Sequence, residues 1–235
     1  GIAVVFGTLF AGTPYGDATP ERRTRPGVYS TLQEAEANAL AQIELYEEWE
    51  RQGWVRLIKS AADLEHHLEL WALDRTPGLV ILMEGADPIV SVDDLPKWWQ
   101  RGVRIVGPAW GDTKYAAGVA AGSTEPKQDG LTAEGVALLE AMAGLGFIWD
   151  IAHMSEAGVR RGLDLKHPHV CASHANARAV TPTNRHLSDD VIRAIGDREG
   201  VIGLTLYNSF LDPRWKEDKS TPITLDAARL HAEHI

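Results

Sequence analysis

Two segments hold the residues best suited to chemistry: DIAHMSE, with His153, and CASHANAR, with His174. In each, an apolar run (Phe147 to Ala152, Val170 to Ala172) gives way to a histidine followed by small and polar residues. A strand ending this way aims an imidazole out of the carboxyl edge of a buried sheet. Glu84 closes a third such run, GLVILM. Neutral imidazole and carboxylate are good Zn²⁺ ligands, and one carboxylate can bridge two metals. Metal-assisted hydrolysis is the chemistry these types suggest. The plainer alternative makes Glu84 a helix cap and the histidines hydrogen-bonded core residues.

Arg185, in the loop TPTNRH, is a candidate clamp for a substrate carboxylate through two parallel hydrogen bonds, against the alternative of a solvated loop arginine. Tyr207, ending GVIGLTLY, could add a phenolic hydrogen bond at the same face or simply pack there. His66, His67, His231 and His234 fall in helical patterns and are expected at the surface. His167 and His169 begin a strand, at the end away from the chemistry. No HExxH, P-loop, GxSxG or CxxC occurs, so zincin, nucleotide, serine-hydrolase and redox readings lack a signature.

Strand-like and helix-like segments alternate to position these residues. Ile2 to Phe6 reads as a short strand closed by Gly7. A helix over 31–52 is predicted, with Ser30 and Gln33 as a capping box and Gly53 as its stop. Further strands are predicted at Trp54 to Ile58, Gly78 to Met83, Val103 to Val106, Phe147 to Ala152, His169 to Ala172 and Val201 to Leu206. Helices are predicted after Ser60 and near Asp93, Thr132, Ser155, Ser188 and Thr224. Apolar strands alternating with helices imply parallel pairing covered on both faces. Without a GxGxxG turn, a single (β/α)8 barrel domain over 1–235 is favoured over a doubly wound dinucleotide fold. Ala109 to Gly130 reads as an elaborate loop at a functional face, and Gly12 to Tyr29 as a candidate lid.

The bulk numbers narrow the function. The net charge of −10 argues against a nucleic-acid or anionic-membrane partner. No apolar run reaches the ~18–20 residues of a membrane helix. The single cysteine, Cys171, lies in an apolar run and reads as a small core residue; it forms no intrachain disulfide framework, and a cytoplasmic setting is the expectation.

With these residues in hand, the chain resembles the renal (membrane) dipeptidases and their bacterial relatives, zinc peptidases of the amidohydrolase superfamily. The matching segments are LMEGAD, Gly102 to Arg104, GLTAEGVALLEAMAGLGFIWDIAHMSE, SHANARAVTPTNRHLSDDVIRAI and GVIGLTLYN, through most of Leu79 to Asn208. The resemblance implies a (β/α)8 barrel of the metal-dependent hydrolase kind with two zinc ions, cleaving dipeptides by a metal-activated water. Glu84 would bridge the metals, and His153 and His174 would hold one of them. Arg185 would bind the free carboxylate of the dipeptide, with Tyr207 beside it. A dipeptide is the expected partner, with a homodimer left open.

Three departures from the family pattern matter. Its first strand carries a His-x-Asp pair for the other metal, which has no counterpart after Gly1. Its last strand carries a general-base aspartate, expected beyond Ile235, so no catalytic residue is assigned within the chain. Where mammalian members carry a substrate-binding histidine after the GVR strand, GVRIVGPAW reaches Trp110, pointing to a bacterial-type substrate range. The first two departures predict a barrel lacking its first and last strands, hence a sequence incomplete at both ends and an intact mass above 25.7 kDa. Trp54 to Ile58 is expected to lie outside the barrel. Two other functions remain open at this stage. One is hydrolysis of another small amide such as an N-acyl amino acid. The other is a non-catalytic barrel retaining a partial metal site.

Overall fold

The computed structural model describes residues 1–12, 28–119, 127–212, 214–215 and 222–235. The expected lid over Gly12 to Tyr29 and the middle of the Ala109 to Gly130 loop therefore fall largely outside the described residues.

Among the described residues, seven parallel strands form one sheet: β1 (Val4–Phe10), β2 (Arg56–Leu57), β3 (Gly78–Glu84), β4 (Val103–Gly107), β5 (Ile148–Asp150), β6 (Val170–Ala172) and β7 (Val201–Ile202). The path runs β1-β3-β4-β5-β6-β7, with β1 and β7 at its edges. Strand β2 pairs only with the start of β3, at Gly78 and Leu79, and the β3–β4 ladder runs from Ile81 to Glu84. Trp54 to Ile58 thus stays off the main path, as expected. The result is a curved parallel half-barrel with helices outside.

Strand β1 corrects the sequence reading. It does not stop at Gly7 but continues in register from Val4 opposite Gly78 to Phe10 opposite Glu84. Gly7 is there because a Cβ would lie 2.6 Å from the side chain of Leu79. The glycine marks close packing inside a strand, not a turn. Strand β7, by contrast, keeps ladder pairing only at Val201 and Ile202.

The helices are α1 (Leu32–Arg51), α2 (Ala61–Asp74), α3 (Leu95–Gln100, after a 3₁₀ turn at Val92–Asp94), α4 (Ala133–Leu145), α5 (Glu156–Asp164), α6 (Asp189–Gly196), α7 (Asn208–Leu211) and α8 (Leu225–His234). Ser60, Thr132 and Ser155 each cap a helix by accepting from the N–H three residues on. The cap of α1 is one residue later than predicted. Thr31 accepts from the N–H of Glu34 at 3.2 Å, and the Glu34 carboxylate accepts from the N–H of Ser30 at 2.7 Å. The Ser30–Gln33 box does not form.

On β3 the residues Leu79, Ile81 and Met83 are buried among Trp98, Leu138, Met142 and Trp149. The alternate set, Leu82 and Glu84, lines the hollow of the half-barrel with Phe6, Thr8, Ser173 and His174. This period-2 division puts the apolar core between sheet and helices and leaves the polar ends of the strands for the site.

Two expected surface histidines are buried. His67 lies within hydrogen-bond distance (2.8 Å) of the Ala3 carbonyl through Nε2. His231 accepts from the Ala177 N–H at Nδ1, 3.2 Å away, which docks α8 on the loop after β6. Amphipathic spacing misplaced both because each buries a ring by satisfying a backbone group, not by joining an apolar stripe. His66 and His234 are exposed, as expected.

Candidate metal centre

Glu84 ends β3, and His153 and His174 each follow the carboxyl end of a three-residue strand. The three converge. The Nε2 atoms of His153 and His174 lie 2.8 Å apart, and Oε1 of Glu84 lies 3.0 Å from the first and 3.2 Å from the second. A circle through three atoms so spaced has a radius of about 1.7 Å, so one point about 2.0–2.2 Å from all three exists just off their plane. That is the reach of a zinc–nitrogen or zinc–oxygen bond. Among the described residues this is the cluster of His, Cys, Asp and Glu side chains that could hold a metal.

The backbone works to bring His153 here. Its φ of 68° is left-handed, which costs a non-glycine residue roughly 1–2 kcal/mol. The turn is held by the His153 carbonyl, which accepts from the Val119 N–H at 2.7 Å, and by the Ser155 N–H, which donates to Ala117. The loop after β4 therefore clasps the loop after β5. Trp110 sits at the same rim, its ring 4.7 Å from that of Phe10 and 6.2 Å from that of His153. The position reached by counting along GVRIVGPAW is thus an aromatic wall beside the cluster.

Charge balance favours a cation. Burial pushes the Glu84 carboxyl up, but the two histidines that face it outweigh burial and hold it below the usual carboxylate range. Burial, with Arg185 and His174 nearby, lowers His153 against the pull of Glu84. A carboxylate and two ring nitrogens that converge on one point offer a cation a set of lone pairs.

Behind His174 lies a pair absent from the sequence-based site. Asp150, 1 % exposed, accepts through Oδ1 from the N–H groups of Ala152 (3.0 Å) and Ser173 (2.8 Å). Its Oδ2 accepts from the Ser173 hydroxyl at 2.5 Å, and that hydroxyl lies 2.8 Å from Nδ1 of His174. Both residues stand inside the quoted motifs, as the D of DIAH and the S of SH; the alternation of polar and apolar residues alone gave them no role.

Arg185 is not a solvated loop arginine: it is 3 % exposed. Nη2 donates to the His174 carbonyl at 3.0 Å, the guanidinium lies over the Phe210 ring, and Nε meets no acceptor among the described residues. Burial lowers its pKa to about 10, partly offset by the charges of Asp150 and Glu84, so it stays a cation. Its loop is held by Arg178, which donates to the carbonyls of Thr183 and His186 while paired with Glu156. Arg178 and Glu156 were also missed, because a loop clamp has no periodicity to betray it. Tyr207 is 54 % exposed and packs on Phe210 and Trp215. Its link to Arg185 runs through the shared Phe210 ring. Cys171 is half-buried in β6. No helix is long and apolar enough to cross a membrane among the described residues.

A Klebsiella pneumoniae protein described as an uncharacterized protein in the pqqA 5′ region is 34 % identical over 177 residues, covering 73 % of this chain. The chain spans 64 % of that relative's length. A solved metallo peptidase from Rhodobacter sphaeroides, liganded with a phosphinate mimic of the dipeptide L-Ala-D-Ala, superposes with a TM-score of 0.80 at 26 % identity, over 97 % of this chain and 68 % of that one. A second metallo peptidase, dipeptidase AC, gives 0.79 at 27 % identity, over 99 % and 67 %. The family model described as membrane dipeptidase (peptidase family M19) matches residues 7–235. The chain belongs to the membrane dipeptidase family, peptidase family M19.

Proposed function

We propose that the protein containing this chain is a metal-dependent dipeptidase, with zinc as its metal and two ions in the complete centre. The observation carrying this reading is the convergence of the Glu84, His153 and His174 ligand atoms beside the buried cation of Arg185. Glu84 would hold a metal through Oε1 and has a second oxygen for its neighbour; His153 and His174 would hold the first through Nε2. Bound metals would supply a water of lowered pKa and an electrophile for the peptide carbonyl. Arg185 fixes the free carboxylate through donors that Nη2 and its unpartnered Nε present, and the Phe10–Trp110 wall limits water at the rim. The R. sphaeroides structure, with its dipeptide mimic, supports the same substrate class.

The test is hydrolysis of a dipeptide panel by the protein containing this chain before and after chelation, with zinc added back. Turnover that is lost on chelation and restored by zinc is expected. A panel including N-acyl amino acids separates peptide from other small-amide hydrolysis. Absence of turnover with zinc present would leave the partial, non-catalytic metal site as the better description.

A further inference from the structure

We infer that Asp150 and Ser173 are positioning residues that fix the His174 ring in the tautomer able to bind a metal through Nε2, an inference that rests on the metal-centre reading above. The relay rests on a count of donors and acceptors. As a carboxylate, Asp150 is acceptor-only, and its Oδ1 is filled by two backbone N–H groups. Oδ2 therefore takes the one proton of the Ser173 hydroxyl, at 2.5 Å. Having spent its proton, Ser173 Oγ faces Nδ1 of His174 at 2.8 Å as an acceptor, so Nδ1 carries the ring hydrogen. Nε2 is left as a bare lone pair, and it points at the Glu84–His153 cluster. Hydrogens are thus assigned from the network, each position following from the last.

The same count explains an awkward contact. With Nε2 of His174 unprotonated, its 3.2 Å approach to Oε1 of Glu84 sets two acceptors against each other. A cation between them turns that repulsion into coordination. The relay thus keeps one edge of the site short of protons until metal arrives. Carboxylate partners of metal-binding histidines are a general device for orienting the ring; here a serine hydroxyl is interposed and passes the polarity on.

Asp150→Asn makes the sharpest test, because it is isosteric yet reverses the relay. The two backbone N–H groups keep the amide oxygen in the Oδ1 place, so the amide NH₂ now donates to Ser173. The serine hydroxyl then turns its proton to Nδ1 of His174, and the ring hydrogen moves to Nε2, where it blocks the metal. Long-range ¹⁵N–¹H correlation spectra of the histidine rings in the metal-free full chain read this directly. The Nδ1–H form of His174 is expected in the parent protein and the Nε2–H form in Asp150→Asn. Zinc affinity, from competition with a chromogenic chelator, should weaken by about 10–100-fold. Ser173→Ala should weaken it similarly with a mixture of tautomers, and Ser173→Thr, which keeps a hydroxyl, should restore both readouts.

An unchanged His174 tautomer and unchanged zinc affinity in both Asp150→Asn and Ser173→Ala would overturn the relay. Failure of the parent protein to bind zinc at all would instead overturn the metal-centre reading, while the spectra would still decide the tautomer.

Discussion

Nη2 of Arg185 donates to the main-chain carbonyl of His174 at 3.0 Å, so the residue proposed to hold the substrate and a residue proposed to hold the metal share one rigid link. The guanidinium is buried, cationic and has a donor to spare, which suits it to a carboxylate arriving from solvent. Replacing Arg185 with Ala should raise KM for dipeptides by about 30- to 1,000-fold, the equivalent of about 2–4 kcal/mol, with a smaller change for C-terminally amidated substrates. Equal losses for free and amidated dipeptides would remove its assigned role.

The left-handed backbone at His153 predicts an unusual pair of variants. Both His153→Ala and His153→Gly lose the ring and with it one proposed metal ligand. At φ 68° alanine keeps the strain and glycine does not, so the glycine variant should be the more stable by about 1 kcal/mol. Urea unfolding of the two metal-free variants measures the difference; an alanine variant at least as stable would show that the conformation carries no strain.

Two buried histidines outside the metal cluster predict how stability responds to acid. Burial holds His167 and His186 at a pKa of about 4, against 6.5 for an exposed ring. The unfolded chain therefore takes up protons as pH falls through about 6.5, while the folded protein does so only near 4. Their contribution is fully present above pH 6.5 and is lost as pH falls toward 4, on the order of 2 kcal/mol for each by pH 5. Denaturant unfolding at pH 7 and pH 5 should show this fall, and His167→Gln should lessen it. A parent protein equally stable at both values would contradict it.

Gly203 follows β7 and packs against the residue that bears the relay hydroxyl. A Cβ there would lie 2.1 Å from the Ser173 carbonyl oxygen, a backbone atom with no room to yield. Gly203→Ala should push the end of β6 away, cost about 1–3 kcal/mol in unfolding free energy, and weaken zinc binding although position 203 touches no ligand. Unchanged affinity in a folded variant would separate the strand end from the metal site.

The proposed ligands were legible in the sequence as candidates because chemistry at a barrel's carboxyl edge follows a simple grammar: an apolar run, then a polar residue that has no business in a core. Glu84, His153 and His174 obey it. Arg185 was legible as a residue but not as a buried one, since burial of a loop arginine depends on Arg178 and Phe210, contacts that no local pattern encodes. Asp150 hid for the opposite reason: at the end of β5 it looks like an ordinary end-of-strand aspartate until the hydroxyl of Ser173 is found beside it. Gly7 was read as a terminator because a glycine's local freedom is visible in sequence and the Leu79 side chain that packs against it is not.

Strand β3 is laddered on both sides, to β1 along its whole length and to β2 and then β4 on the other edge, and Glu84 stands at its end. His153 and His174 ride on loops that follow strands of three residues. The centre thus has one immovable jaw and two that can give. An ion of larger or smaller radius would be accommodated by the histidine loops while the carboxylate kept its place. Selectivity among divalent metals at the proposed centre would then rest on the contacts that hold those loops more than on the carboxylate.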